Sequence, residues 1–132
     1  GWSFGGFMTI SMMTRQPDNF YAAVAGGPVT DWNMYEIMYT ERYMDTPEQN
    51  PDGYKTASTF SYIDQLHGPL LLIHGSEDDV VIWQQSINYI ESCVKKGKQV
   101  DYFVYPGHKH NVLGKDRIHL IRKVIDYFKL HL

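Results

Sequence analysis

The chain has 132 residues, of which 43% are hydrophobic, 14% aromatic and 20% charged. This composition is ordinary for one globular domain with a buried core, and it excludes disordered and collagen-like chains. The formal net charge is −3 and the acidic and basic residues are interspersed, so neither nucleic acid nor an anionic membrane is favoured as a partner.

Cysteine usage and hydropathy set two further limits. The single cysteine, Cys93, cannot form an internal disulfide, so it leaves the cellular compartment open. No run approaches the roughly 20 apolar residues that span a bilayer, and the first residues lack the pattern of a signal peptide. We therefore expect no membrane insertion by this segment.

The first half of the chain predicts helices and one buried strand. In order, these are a buried helix from Phe7 to the breaker Pro17, a strand at 20–25, a helix at 31–43, a loop to Gly53 and a short helix within 54–68. In the helix at 31–43, Trp32, Tyr35 and Tyr39 fall on one face at spacings of three and four.

The second half alternates strand and helix more regularly. It predicts a strand at 69–74, a turn at 75–79, a helix at 83–94 that Gly97 stops, a strand at 100–105, a loop at 106–114 and an amphipathic helix through Ile118, Ile121, Ile125, Phe128 and Leu132. Such alternation predicts an α/β fold, a mostly parallel sheet flanked by helices. No linker divides residues 1–132 into two domains.

The pentapeptide Gly1-Trp-Ser-Phe-Gly5 matches the nucleophile elbow G-x-S-x-G of α/β-hydrolases. In that motif a serine lies on a tight strand-to-helix turn, and we expect a Cβ at either flanking glycine to collide with its neighbours. A glycine-rich turn without function is the alternative. The buried helix that follows at once favours the elbow with Ser3 as nucleophile.

A serine hydroxyl needs a histidine base that a carboxylate orients, and in this fold the order is serine, acid, histidine. The turn after the strand at 69–74 offers Glu77, Asp78 and Asp79, and the loop after the last strand offers His108 and His110. Spacing leaves these choices open. Helix capping by the aspartates and a polar loop at the histidines are the structural alternatives.

The remaining candidates are weaker. His74 is expected to be a structural hydrogen-bonding residue, and His119 and His131 are expected at the surface. His108 and His110, two apart, are the nearest approach to metal-ligand spacing, and we predict neither a metal nor a cofactor. The aromatic face of 31–43 either packs in the core or binds a flat apolar ring such as proline.

Five blocks of sequence, taken in order, resemble the catalytic domain of the prolyl oligopeptidase family. They are Gly1-Trp-Ser-Phe-Gly-Gly6, Pro28-Val29-x-x-Trp32, Tyr39-Thr-Glu-Arg-Tyr43, His74-Gly-Ser-Glu-Asp-Asp79 and His108-Lys-His-Asn111. Within the family the likeness is to the dipeptidyl-peptidase-IV-like branch and, most narrowly, to bacterial prolyl tripeptidyl aminopeptidases. It implies a serine peptidase that cleaves after proline and releases short peptides from a free amino terminus.

The resemblance also implies roles for particular residues. Ser3 would be the nucleophile, Asp78 the acid and His110 the base, with the Phe4 backbone N–H in the oxyanion hole. Glu36 would bind the substrate's amino group, and the proline pocket would be lined by Val29, Trp32, Tyr35, Tyr39 and Val80. On sequence alone, Glu36 also fits an exposed helical glutamate. Val80 replaces an asparagine of dipeptidyl peptidase IV, which favours tripeptide over dipeptide release.

Family members carry a β-propeller and the first half of the hydrolase sheet before the elbow. The resemblance therefore implies that residues 1–132 are the C-terminal portion of one catalytic domain, inactive by itself. It also implies peptide substrates, a homodimer and a periplasmic or cell-envelope location. An esterase or acylaminoacyl peptidase with the same triad, or a catalytically silent interaction domain, are the alternatives.

Overall fold

Three parallel strands form the centre of the computed structural model, which describes residues 1–132 throughout. The strands are β1 (Ala23–Gly26), β2 (Leu70–Gly75) and β3 (Asp101–Tyr105), in the order β1-β2-β3. In the register of the sheet, Ala23 of β1 pairs with Leu70 of β2, and Leu71 of β2 pairs with Asp101 of β3. The predicted α/β fold with a parallel sheet is confirmed.

Helices cover both faces of this sheet. They are α1 (Phe4–Arg15), α2 (Ile37–Met44), α3 (Pro51–Ala57), α4 (Gln84–Lys95) and α5 (Asp116–His131), with 3₁₀ helices at Trp32–Met34 and Thr59–Gln65. None of them combines the length and the apolar content that crossing a membrane requires.

Alternate residues of the strands enter two separate cores. On one face Leu70 and Leu72 pack with Ile10 of α1 and Tyr89 of α4. On the other face Leu71, Ile73 and Val24 pack with Leu120 of α5. Because both faces are covered, β2 is buried along its whole length, which explains its unbroken apolar sequence.

The predicted helix at 31–43 is wrong as one element. A 3₁₀ helix ends at Met34, Tyr35 is extended at φ −98° and ψ 168°, and α2 starts only at Ile37. Glu36 stands at the break as the N-cap of α2, accepting hydrogen bonds from two backbone N–H groups. A capping side chain therefore starts a new helix where the aromatic spacing suggested a continuous one.

The loop predicted up to Gly53 is also wrong at its end, because α3 begins at Pro51. Asn50 caps that helix by accepting from the Gly53 N–H, 3.1 Å away, and proline suits a first helical position. Asn50 and Pro51, which are common in turns, therefore act here as the N-cap and the first residue of a helix. The short helix predicted within 54–68 consists of the end of α3 and the 3₁₀ helix Thr59–Gln65.

Two further predictions need correction in detail. The first strand is shorter than 20–25, since Phe20 and Tyr21 are exposed and β1 starts at Ala23. In α5 the isoleucines expected to face the core are exposed, at 56%, 50% and 47% for Ile118, Ile121 and Ile125. The helix packs instead through Leu120, Val124, Tyr127 and Phe128.

Candidate active site

Ser3 lies on a strained turn between the sheet and α1. Its backbone is at φ 58° and ψ −118°, and it is one of two non-glycine residues with positive φ. Trp2 forms a parallel bridge with Gly26, and the Ser3 N–H donates to the Gly26 carbonyl at 2.8 Å. Positive φ is costly for a residue with a Cβ and is typical of functional turns, so this geometry matches the turn that the G-x-S-x-G motif predicts.

The positions at which the elbow requires glycine differ from our expectation. A Cβ at Gly1 would clash with the Gly5 carbonyl, but a Cβ at Gly5 would meet nothing within 4 Å. The second tight position is Gly6, where a Cβ would lie 2.9 Å from the Gly26 oxygen. The close approach of α1 to β1 therefore depends on Gly6 rather than Gly5.

Asp78 follows β2 and is buried, with 6% of the residue exposed. Its Oδ1 accepts from the backbone N–H groups of Val80 and Val81, at 2.9 and 2.8 Å. Its Oδ2 accepts from His110 Nδ1 at 2.8 Å and lies 3.3 Å from His74 Nε2. Both carboxylate oxygens are thus fixed by N–H donors.

These contacts set the charge state of Asp78. Burial alone would raise its pKa, but the hydrogen bonds from His74, His110, Val81 and Val80 together hold the pKa below its ordinary value of 3.8. A depressed pKa means that the charged form stabilises the fold above pH 3.8, and that this stabilisation is lost as the pH falls through the folded value. At neutral pH Asp78 is a carboxylate that can only accept hydrogen bonds.

Backbone contacts bring the acid turn and the histidine loop together. The Glu77 N–H donates to the His108 carbonyl at 3.0 Å, and a Cβ on Gly75 would clash with that same carbonyl. The Trp2 indole N–H donates to the His110 carbonyl at 2.9 Å, which ties the loop to the elbow. Three segments far apart in sequence therefore meet at the carboxyl end of the sheet.

The alternatives that spacing left open have other partners here. Asp79 is exposed and lies 3.5 Å from Lys109, and His108 Nε2 lies 2.7 Å from Asp116. Glu77 is exposed. Of these candidates, Asp78 and His110 are the pair in direct contact.

The Ser3 hydroxyl makes no hydrogen bond in this structure. No group of three or more His, Cys, Asp or Glu side chains is placed to hold a metal ion.

Beside the elbow, aromatic rings surround an apolar cleft of about 360 Å³. Trp32 stacks on Tyr39 with centroids 6.1 Å apart, and Tyr35 meets both rings edge-on. Burial, followed by the charges of Tyr39, Glu36 and Asp78, raises the pKa of Tyr35, so its hydroxyl stays protonated. The cleft is lined by Phe4, Phe7, Trp32, Tyr39, Thr40, Tyr43, Met44 and Ala57.

The other predicted pocket residues lie at different depths. Val29 is buried, 1% exposed, in the apolar cluster behind Trp32, and Val80 is 49% exposed next to Asp78. Glu36 is exposed, and its two oxygens accept from the N–H groups of Met38 and Tyr39 at 2.9 and 3.0 Å. A larger cleft, of about 740 Å³ between β3 and α5, contains none of the predicted site residues.

Several residues that shape this site are not marked as site residues by any motif in the sequence. Trp2 holds the His110 loop, and Gly27 is so close that a Cβ there would lie 3.4 Å from the His110 ring. Phe7, Tyr43 and Met44 line the cleft, and no sequence pattern marks them as pocket residues. The Gly26-Gly27 pair next to Pro28 was the one local signal, since paired glycines mark close backbone approach.

Comparison with known proteins gives a consistent result. A family model described as the prolyl oligopeptidase family matches residues 1–132. Over 116 residues the chain is 40% identical to a probable dipeptidyl-aminopeptidase B of Aspergillus oryzae, and over 115 residues it is 36% identical to dipeptidyl peptidase 8 of Homo sapiens. Each match covers 85% of this chain but only 13% of the relative's length.

Two solved structures match over the whole chain. A putative dipeptidyl aminopeptidase IV from Bacteroides ovatus has 52% identity and a TM-score of 0.99, and dipeptidyl peptidase 4 of Porphyromonas gingivalis has 36% identity and a TM-score of 0.96. The chain spans 19% of each of these proteins. The likeness therefore concerns one segment of much longer proteins.

Proposed function

The chain belongs to the prolyl oligopeptidase family, and from that premise we propose that it carries the catalytic side chains of a serine peptidase. Ser3 is the nucleophile, His110 the base and Asp78 the acid. The observation that carries this proposal is the 2.8 Å hydrogen bond between His110 Nδ1 and Asp78 Oδ2. Since the carboxylate accepts at Nδ1, the other ring nitrogen is left to take a proton from Ser3.

In the proposed reaction Ser3 Oγ attacks the carbonyl carbon of the scissile bond while its proton moves to His110 Nε2. The C–N bond then breaks, the leaving amine takes that proton, and an acyl-enzyme remains on Ser3. Water hydrolyses the acyl-enzyme by the same steps. Phe4 is the first residue of α1, where N–H groups lack helical partners, and its N–H donates to the developing oxyanion.

The aromatic cleft is the evidence for a substrate that carries proline at the cleaved bond. The rings of Trp32 and Tyr39 line the cleft and suit an apolar ring, and Tyr35 packs edge-on against both. Val29 lies in the apolar cluster with Trp32, and Val80 lies on the acid turn. Glu36 would hold the free amino terminus of the peptide, and Val80 in place of a polar residue favours tripeptide release. The homodimer stays a prediction.

We also propose that residues 1–132 form the C-terminal portion of one α/β-hydrolase catalytic domain. Support comes from the small share of each relative that the chain spans and from the bridge between Trp2 and Gly26, which continues the sheet beyond β1. A second oxyanion donor would then lie outside this segment. Because one such donor is worth about 10²–10³ in rate, we expect residues 1–132 alone to show little or no activity.

The test uses the full-length enzyme that contains this chain. A fluorophosphonate probe should label Ser3, and cleavage of Xaa-Xaa-Pro and Xaa-Pro anilides should require a free amino terminus. The Ser3→Ala variant should lose both labelling and cleavage. Faster release from the tripeptidyl substrate would support the assignment of Val80 and Glu36.

Other outcomes identify the alternatives. Preference for nitrophenyl esters or N-acylated amino acid anilides over proline substrates would indicate an esterase or acylaminoacyl peptidase. An enzyme that is folded but unlabelled at Ser3 would indicate a silent interaction domain and would refute the proposed function.

A further inference from the structure

His74 is a fully buried histidine near the carboxyl end of β2, four residues before Asp78. Its Nε2 lies 2.7 Å from the Val81 carbonyl and 3.3 Å from Asp78 Oδ2, and its Nδ1 lies 2.7 Å from Ser86 Oγ. A carbonyl oxygen only accepts, so Nε2 must carry a proton. In the tautomer with its proton on Nε2, Nδ1 accepts from the Ser86 hydroxyl.

In this tautomer the Nε2–H donates to the Val81 carbonyl at 2.7 Å, and Asp78 Oδ2 lies 3.3 Å from the same nitrogen. Asp78 Oδ2 is shared by two imidazoles, His110 at 2.8 Å and His74 at 3.3 Å. The two differ in surroundings, because the His74 side chain is 0% exposed and the His110 side chain is 16% exposed on a loop. His74, held at both ring nitrogens by Ser86 and Val81, is thus the better anchored of the two imidazoles.

We propose that His74, held by Ser86, is a positioning residue that fixes Asp78 Oδ2 as the acceptor for His110. This inference rests on the proposed function, because it concerns the same acid. The backbone N–H groups of Val80 and Val81 hold Oδ1, and His74 supplies the matching constraint on Oδ2. Without it, only the two hydrogen bonds to Oδ1 oppose rotation of the carboxylate about its Cβ–Cγ bond, and such a rotation would tilt the His110 ring.

A residue that acts through the acid should affect the chemical step more than substrate binding. In the full-length enzyme, His74→Phe should lower kcat about 10- to 100-fold, the range expected for a small misplacement of a catalytic group, with KM nearly unchanged. The rate of fluorophosphonate labelling at Ser3 should fall by a similar factor, because labelling depends on the same serine and base.

The matched variant is His74→Gln. Its amide N–H₂ can donate to the Val81 carbonyl and to Asp78, and its amide oxygen can accept from Ser86. We expect it to restore kcat and the labelling rate to within about threefold of wild type, even if its melting temperature stays below that of wild type. A merely structural role predicts that kcat follows the melting temperature in both variants.

Ser86→Ala gives an independent test if His74→Phe does not fold. It removes the hydroxyl that holds Nδ1, and we expect a decrease in kcat of about 3- to 10-fold with KM unchanged. The inference is overturned if the folded His74→Phe or Ser86→Ala enzyme keeps wild-type kcat and labelling, or if folded His74→Gln is as impaired as His74→Phe. A wild-type enzyme without labelling or cleavage would instead refute the proposed function and this role with it.

Discussion

The acid corner and the aromatic pocket are built on different principles. The acid corner, formed by Asp78, His74 and His110, is a buried network in which each polar atom of Asp78 has a named donor. The pocket is a cluster of aromatic rings carried by two short helices and the break between them, and its outer residue Tyr39 is 40% exposed.

The two kinds of construction suit two different tasks, orienting a catalytic group and binding an apolar ring. A general base must be oriented to fractions of an ångström, and hydrogen bonds supply that direction. A pocket for an apolar ring needs contact area more than direction, and stacked aromatics provide it. We therefore expect substitutions in the acid corner to act mainly on kcat, and substitutions in the pocket to act mainly on KM and on stability.

The largest expected effect comes from Asp78→Asn. The amide would place an N–H₂ group against N–H donors and force His110 into the tautomer that cannot accept the serine proton. Loss of about 10⁴-fold in kcat is expected, as for the equivalent change in other triads. Steady-state kinetics of the full-length enzyme on a proline anilide measure it.

Asp79→Asn is the matched control for this change. Its carboxylate is exposed and its nearest partner is Lys109 at 3.5 Å, so kcat should stay near the wild-type value. Equal losses in the two variants, or a larger loss at Asp79, would contradict the assignment of the acid.

The same division explains how far the sequence could predict the structure. Strands and turns at 69–79 and 100–110 follow from local patterns, so the positions of the candidate acid and base were correctly expected after β2 and β3. The choice of Asp78 over Asp79 depends on which way each side chain points, and spacing does not contain that information. The triad roles themselves stay a prediction.

The pocket segment was predicted less well for a physical reason. Its aromatic spacing satisfies a helical pattern, but Glu36 ends that pattern by capping a new helix, and the rings still meet across the break. Pro51 and Gly53 likewise look like turn residues while Asn50 makes them a helix start. In both places a single capping hydrogen-bond network overrides the local pattern.

An intermediate effect is expected at Gln85, which holds the backbone segment that leads into the pocket. This buried side chain on α4 accepts at Oε1 from the N–H groups of Thr30 and Asp31, both at 2.8 Å, next to Trp32. In Gln85→Leu those N–H groups lose their acceptor, at a cost of about 1–3 kcal/mol in unfolding free energy. Denaturant unfolding measures the loss, and KM for proline substrates should rise more than kcat falls.

The neighbouring substitution Gln84→Leu provides the control, because Gln84 is exposed and its side chain donates a hydrogen bond to Asn88 on the same helix. It should leave both the unfolding free energy and KM close to wild type. If Gln85→Leu reduced kcat as strongly as KM rose, the pocket and the acid corner would not be separable as we describe them.

The smallest effect is expected from Glu36→Gln, which removes a charge but keeps one oxygen to cap α2. If the carboxylate binds the substrate's ammonium group at this exposed site, KM should rise only about twofold to fivefold, because exposed ion pairs are weak. That increase should appear for peptides with a free amino terminus and be absent for N-blocked peptides. Glu36→Ala should in addition lower the unfolding free energy by about 1 kcal/mol through loss of the cap.

Glu41→Gln serves as the control for Glu36→Gln, because it removes a charge from the same helix without touching the cap. It should change KM for free and blocked peptides equally little. A rise in KM that is the same for both peptides in Glu36→Gln would mean that Glu36 acts on the pocket through α2, since a lost ion pair with the substrate can affect only the peptide that carries the charge.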